Sequence, residues 1–123
     1  MMSKDINKLG FSPEDIYVES LIDNKDGLTL LIRAGEGDFC AKVIFSHPRV
    51  YRNINEGDYL DIEEKRTYEG QGLYRIQQSK LIDWFHSVSL GIYENDGIQH
   101  YLLYTCDDCI EILSSEDPNI FIC

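Results

Sequence analysis

The sequence predicts an α+β fold: an antiparallel, curled β-sheet meander packed against one main helix. Three observations carry that expectation. Short runs rich in β-branched and aromatic residues alternate with Gly-, Asn- and Asp-containing turn clusters, which favours strands joined by hairpins. One stretch has clear helical periodicity: Leu81, Trp84, Phe85 and Val88 fall at i, i+3, i+4 and i+7. Ile98 to Ser114 holds two closely spaced apolar runs with period-2 alternation, the most strand-like part of the chain. A βαβ arrangement would need several amphipathic helices.

At 123 residues the chain is read as a single domain, residues 1–123, by the usual size of roughly 100 to 200 residues. The order of elements follows from local chemistry. Ser12-Pro13-Glu14-Asp15 has an N-cap, a proline at the first helical position and acids in the first turn, enough for a single turn of helix. Ile16 to Ile22 suits a strand, Asp23 to Gly27 a turn, and Leu28 to Ala34 a second strand. Gly35 to Asp38 closes a hairpin and Phe39 to Ser46 returns, with Phe39, Ala41, Val43 and Phe45 on one face. His47-Pro48 interrupts the pattern because Pro48 has no ladder donor. Val50 to Ile54 alternates again, Asn55 to Asp58 turns, Tyr59 to Arg66 reads as a strand, Glu69 to Gly72 turns, and Leu73 to Gln78 returns.

The helix is expected from Lys80 to about Ser89. Ser79 is its N-cap and Gly91 supplies a left-handed residue soon after its end. Its stripe predicts Trp84 and Phe85 in the core. Glu94 to Gly97 is a turn into the paired strands. There Ile98, His100, Leu102 and Tyr104 share one face, and Gln99, Tyr101, Leu103 and Thr105 the other. In the return strand Ile110 and Ile112 oppose Glu111, and Cys106, Asp107 and Asp108 form an acidic connector. Glu116-Asp117-Pro118 ends that strand, and Ile120 to Cys123 is an apolar tail expected to tuck against the body.

The charge is strongly acidic, −11 overall. Its distribution says more than its sum. Residues 1–80 hold all 11 Lys and Arg and 14 acids; residues 81–123 hold no Lys or Arg and eight acids. Such a surface disfavours nucleic acid as a direct partner, because phosphate binding needs cations. It favours a basic protein partner, whose encounter an acidic field accelerates. No apolar run approaches the roughly 18 residues of a membrane span, so no membrane association is expected. The opening MMSKDINKLG has no apolar signal core. A cytoplasmic, reducing setting is the resulting expectation, with Cys40, Cys106, Cys109 and Cys123 as thiols.

The segments NEGDYLDI, SKLIDWFHSVSLGI and HYLLYTCDDCIEILSSEDPNI, spanning Asn55 to Ile120, resemble a group of small bacterial proteins of uncharacterised or toxin-immunity type. In these a serine precedes a short Leu/Trp helix, and an HY strand precedes an acidic connector and an EIL strand. The resemblance implies an immunity role and no active-site residues.

The chemical motifs are weak. Cys106-Asp107-Asp108-Cys109 is a CxxC, but a structural zinc site needs four ligands and usually a second paired motif. Redox use needs a lowered thiol pKa, whereas here two carboxylates intervene and no basic residue follows Lys80. His47, His86 and His100 are scattered, and the Gly35-Glu36-Gly37 and Gly70-Gln71-Gly72 segments lack the Lys-Ser/Thr of a phosphate loop. The expectation is a non-enzymatic module without metal or cofactor that occludes a basic, nuclease-type toxin. Asp107, Asp108 and Glu111 would form the centre of the contact, with Glu94 and Asp96 nearby. A metal or redox protein built on the CxxC, or a homodimer formed through an exposed strand edge, are the competing readings.

Overall fold

The computed structural model describes residues 2–3, 15–35, 40–55 and 71–123. The elements are β1 (Met2–Ser3), β2 (Ile16–Asn24), β3 (Gly27–Ala34), β4 (Cys40–Phe45), β5 (Val50–Asn55), β6 (Gly72–Ile76), α1 (Lys80–Val88), β7 (Gln99–Tyr104), β8 (Asp108–Ser114) and β9 (Asn119–Ile122). The expected turn of helix at 12–14, the Phe39 position, the 56–58 turn and the Tyr59 to Arg66 strand lie outside the described residues.

The strands form two antiparallel sheets, ordered β1-β6-β7-β8-β5 and β2-β3-β4-β9. Neither is strongly curled, so the single curled meander is corrected to two sheets with a helix. The physical reason is the alternation itself. β3 and β4 each present one apolar face, and so do β6, β7 and β8. These faces bury each other: Leu28, Leu30, Ile32, Val43 and Phe45 share one buried cluster with Leu73, Tyr101, Leu103, Ile110 and Ile112. Two of the changes between sheets fall at prolines. The His47-Pro48 break carries it from β4 to the edge strand β5, and Pro118 precedes its return to β9 beside β4.

The paired run is the centre of the larger sheet, as expected. β7 and β8 pair from Gln99↔Ser114 to Tyr104↔Cys109. Both faces of β8 are buried from Cys109 to Ser114. The face away from the sandwich core has its own cover. Leu81 and Phe85 of α1 pack with Ile98 and Leu113, and Val50, Ile82 and Tyr93 flank them. Phe85 stacks on Tyr93 with ring centroids 5.5 Å apart.

The helix begins where expected, with Ser79 Oγ accepting from the Ile82 N–H at 3.0 Å. Its stripe divides. Leu81 and Phe85 are buried, but Trp84 is 51% exposed and Val88 56%, so the placement of Trp84 in the core is corrected. Trp84 and Val88 form one i,i+4 row, and Leu81 and Phe85 the neighbouring row. A single nine-residue helix lying on a sheet buries one row and lifts the other into solvent. The helix ends in a Schellman arrangement: Gly91 N–H donates to His86 O at 2.9 Å, and Leu90 N–H to Ser87 O at 3.2 Å. The left-handed position that this motif gives to glycine is occupied by Leu90, at φ +55°, ahead of Gly91 at +74°.

The C-terminal tail is a strand. β9 pairs with β4, Ile120 packs against the core, and the Cys123 N–H donates to Cys40 O at 3.0 Å. Cys40 and Cys123 are joined by a disulfide with Cα atoms 5.2 Å apart. The expectation of four thiols is therefore corrected. The bond spans 83 residues, and its pairing depends on β9 returning to β4, which no local signal announces. No described helix is long and apolar enough to cross a membrane.

The division of the stripe gives the first prediction. Phe85→Ala should lower stability by about 3–5 kcal/mol, as for a large core aromatic. Trp84→Ala should cost under about 1 kcal/mol, as at the surface. Urea unfolding of both variants checks this; the reverse order would mean that the other row faces the sheet.

Candidate functional site

The acidic residues singled out in the sequence do not form one surface. The strand β7 runs from the Glu94–Gly97 turn to the Cys106–Asp107 connector, so the two groups lie at opposite ends of it, about 20 Å apart at roughly 3.3 Å per residue. At one end Asp107 is exposed and Asp108 half-buried. Thr105, itself buried, closes this connector: its Oγ1 accepts from Asp108 N–H at 2.9 Å and donates to Asp108 O at 3.1 Å. The Cys106 N–H donates to Ile16 O, which ties the connector to the start of β2 beside Asp15. At the other end lie Glu94 and Asp96, both exposed, with Asp83 on the helix.

Glu111 belongs to neither end. It is 1% exposed, on the face of β8 turned away from the sandwich core. Its place at the centre of a surface contact is corrected: a residue directly opposite Leu102 on a central strand is covered from both sides. A carboxylate buried this deeply requires partners, and Arg52 and His100 are among them. Arg52 on β5, directly across the strand pair, donates its Nε–H to Glu111 Oε2. His100 on β7 brings Nε2 to 3.3 Å from Oε1, an electrostatic contact rather than an aligned hydrogen bond. The other imidazole nitrogen, Nδ1, lies 2.6 Å from Ser79 Oγ. Ser79 Oγ thus bridges the imidazole and the first turn of α1. Burial alone would raise the Glu111 pKa. The hydrogen-bonding groups and charges of His100 and Arg52 outweigh it and hold the carboxyl down to about 2.

Ser79, His100 and Glu111 are the residue types of an acyl-transfer triad, but the arrangement is built for position. All three are buried. The serine oxygen is occupied by the helix cap, and the imidazole presents Nδ1 rather than Nε2 to the hydroxyl. The array links β5, β8, β7 and the start of α1. Sequence reasoning identified Ser79 as a cap and missed the array, because its four members are spread from residue 52 to residue 111.

The CxxC thiols are in different environments. Cys106 is exposed and Cys109 is buried among Tyr74, Ile76 and Leu102. Partial burial, and then the charge of Asp107, push the Cys106 thiol pKa up. Among the described residues no group of three or more His, Cys, Asp or Glu is placed to hold a metal ion.

The fold also redistributes the charge. Arg52 neutralises Glu111, Arg75 Nη2 lies 2.8 Å from Asp117, and the Arg49 guanidinium stacks over Tyr93 at 4.4 Å. Cations from the first 80 residues thus meet part of the acidic last third. Asp83, Glu94, Asp96, Asp107, Asp108 and Glu116 are left without an ion pair among the described residues. Beside the first three lies an apolar surface: Trp84 and Val88 on α1, then Leu90 at 87% and Ile92 at 71% exposure. The Glu94 carboxylate folds back against Gly91, with Oε1 3.1 Å from the point where a Cβ would stand.

The Glu111 array carries a pH prediction. Its folded pKa lies below the unfolded value, so its stabilisation is complete above pH about 4.5 and is lost as pH falls toward about 2. Urea midpoints measured across that window should fall steeply, and Glu111→Gln should flatten the fall. A wild-type-like acid profile in the variant would remove Glu111 as its source.

Compared with known protein families, characterised proteins and solved structures, this chain matches none.

Proposed function

We propose that this protein is an acidic protein-binding module, of the toxin-immunity kind, that neutralises a basic, nuclease-type protein by covering its phosphate-binding cleft. The observation that carries the reading is the exposed apolar patch of Trp84, Val88, Leu90 and Ile92, beside the unpaired carboxylates of Asp83, Glu94 and Asp96. Scattered surface apolar residues need no explanation, but four of them within nine positions do. Leu90 is the most telling. A leucine in a left-handed conformation is unfavourable by roughly 1–2 kcal/mol relative to a right-handed one, and here it also gives nearly all of its side chain to solvent. A local rule broken at the surface without a packing gain points to selection for contact. Tryptophan is among the residue types most enriched at binding hot spots.

The acids choose the partner. Carboxylates around an apolar centre complement a basic surface with a protruding apolar group, and they steer its approach. A nuclease cleft is basic because it must attract phosphate. Relative to the sequence-based expectation the contact moves from the Asp107–Asp108 connector to the helix end, where charge and apolar area coincide. The connector offers charge alone.

The test uses the protein encoded by the adjacent reading frame, purified and titrated with this chain. Trp84→Ala should weaken binding by about 2 kcal/mol or more, the scale of a hot spot. Glu94→Lys with Asp96→Lys should slow association and reduce its salt dependence, and nuclease inhibition should fall in step. Asp107→Lys with Asp108→Lys should leave affinity near wild type. Full affinity in the Trp84→Ala and double-Lys helix-end variants would end this reading.

A further inference from the structure

The strand β9 is fastened to β4 beyond Ile122 by the disulfide between Cys40 and Cys123. We propose that this bond is a redox latch: a dithiol reductant opens it, β9 leaves β4, and the edge of β4 is uncovered while the rest of the fold stays closed. No part of this depends on the protein contact proposed for the helix end.

The first argument is how β9 is held. It is a short strand, paired with β4 from Ala41↔Ile122 to Ile44↔Asn119. Ile120 is half-buried against the core, but Asn119 is exposed, and Phe121 and Ile122 are each 55% exposed. The buried residues of the sandwich core come from β2, β3, β4, β6, β7 and β8, so that cluster stays whole when β9 leaves. A short strand with mostly exposed side chains belongs to the low end of local stability. Two pins compensate. Ahead of β9, Asp117 Oδ1 accepts from Arg75 Nη2–H at 2.8 Å and from the Tyr101 hydroxyl. After β9 comes the disulfide. Reduction removes the second pin and leaves the first, which confines the release to the segment after Asp117.

The second argument is access. Cys40 is buried and Cys123 is exposed, and exposed disulfides are the readily reduced ones. One thiolate of the dithiol attacks the Cys123 sulfur, the S–S bond breaks, and Cys40 leaves as a thiolate that takes up a proton. The second thiol of the reductant attacks the mixed disulfide, forms the reductant's own disulfide and frees Cys123, which is protonated in turn. Two electrons pass to the protein, and the two protons of the dithiol are matched by those taken up on Cys40 and Cys123. The backbone ladder shows what then opens. The Cys123 N–H donates to Cys40 O at 3.0 Å. Hydrogen-bonded pairs recur at every second residue of an antiparallel ladder, so Lys42–Phe121 and Ile44–Asn119 are the next two. The Lys42 and Ile44 amides are directed at β9, and the Ala41 and Val43 amides at β3. Release of β9 therefore frees the first two and leaves the second two paired. An open strand edge is a template for another strand, so the reduced form gains a pairing edge on β4.

The test is amide hydrogen exchange, followed by NMR on the full chain with and without excess dithiothreitol and in the absence of denaturant. With the bond intact, the amides of Lys42, Ile44, Phe121 and Cys123 should be protected. After reduction their protection should fall by about tenfold or more, while Ala41, Val43 and the amides of β7 and β8 keep theirs. Cys123→Ser should reproduce the reduced pattern at Lys42, Ile44 and Phe121 with no reductant present, which separates opening of the bond from any other action of the dithiol. A bond that dithiothreitol opens only when urea is added would overturn the proposal. So would unchanged protection at those amides after reduction. Protection lost across β3, β7 and β8 together would also overturn it, because the disulfide would then be a staple of the whole fold and not a latch on β9.

Discussion

A carboxylate buried in the middle of a sheet is the constraint around which this molecule is arranged. Glu111 lies on a central strand directly opposite Leu102 and is 1% exposed. Left alone there, its charge would be strongly destabilising. Arg52 and His100 meet it from the strands on either side, β5 and β7. The imidazole then reaches Ser79, and Ser79 caps α1. One buried charge thus fixes the edge strand, the central pair and the helix start relative to one another. The hydrophobic effect supplies the driving force for the sandwich. The polar array specifies which strand lies beside which and where the helix is docked.

Much of this order was legible where its cause is local. The turn chemistry of Asp23 to Gly27, the Pro48 break, the Ser79 cap and the alternation of Ile98 to Ser114 each rest on a few adjacent residues, and each appears in the fold. What was not legible depends on partners distant in sequence. Two sheets look the same as one curled sheet when strands are read singly. The choice is made by apolar faces meeting across the sandwich, as Phe45 meets Tyr101 edge-on at 5.2 Å. The Cys40–Cys123 bond requires β9 to come back to β4. Glu111 reads as a solvent-facing position in an alternating strand, and the partners that meet it when buried, Arg52 and His100, are distant in sequence.

The candidate surface was legible in part, for the same reason. The acidic bias of residues 81–123 is real in composition, but Arg52 and Arg75 fold onto two of its carboxylates, and β7 separates the rest into two ends. Helical periodicity found the Leu81–Val88 stripe correctly and could not say which row would face the sheet. Trp84 therefore moves from core to surface, and with Leu90 it becomes the strongest feature of the helix end. The residues proposed for contact stand out here as departures from what folding requires: an exposed tryptophan, and a leucine where a glycine would suit the backbone.

The coupling between Glu111 and the helix cap tests the account most directly, through a double-mutant cycle on Glu111→Gln and Ser79→Ala measured by urea unfolding at neutral pH. The two side chains do not touch and communicate through His100. If the array acts as one unit, the two changes will be non-additive by about 1 kcal/mol or more, within the range seen for residues in one network. Additivity within about 0.3 kcal/mol would mean that the cap and the carboxylate are independent, and that the helix is docked by apolar packing alone.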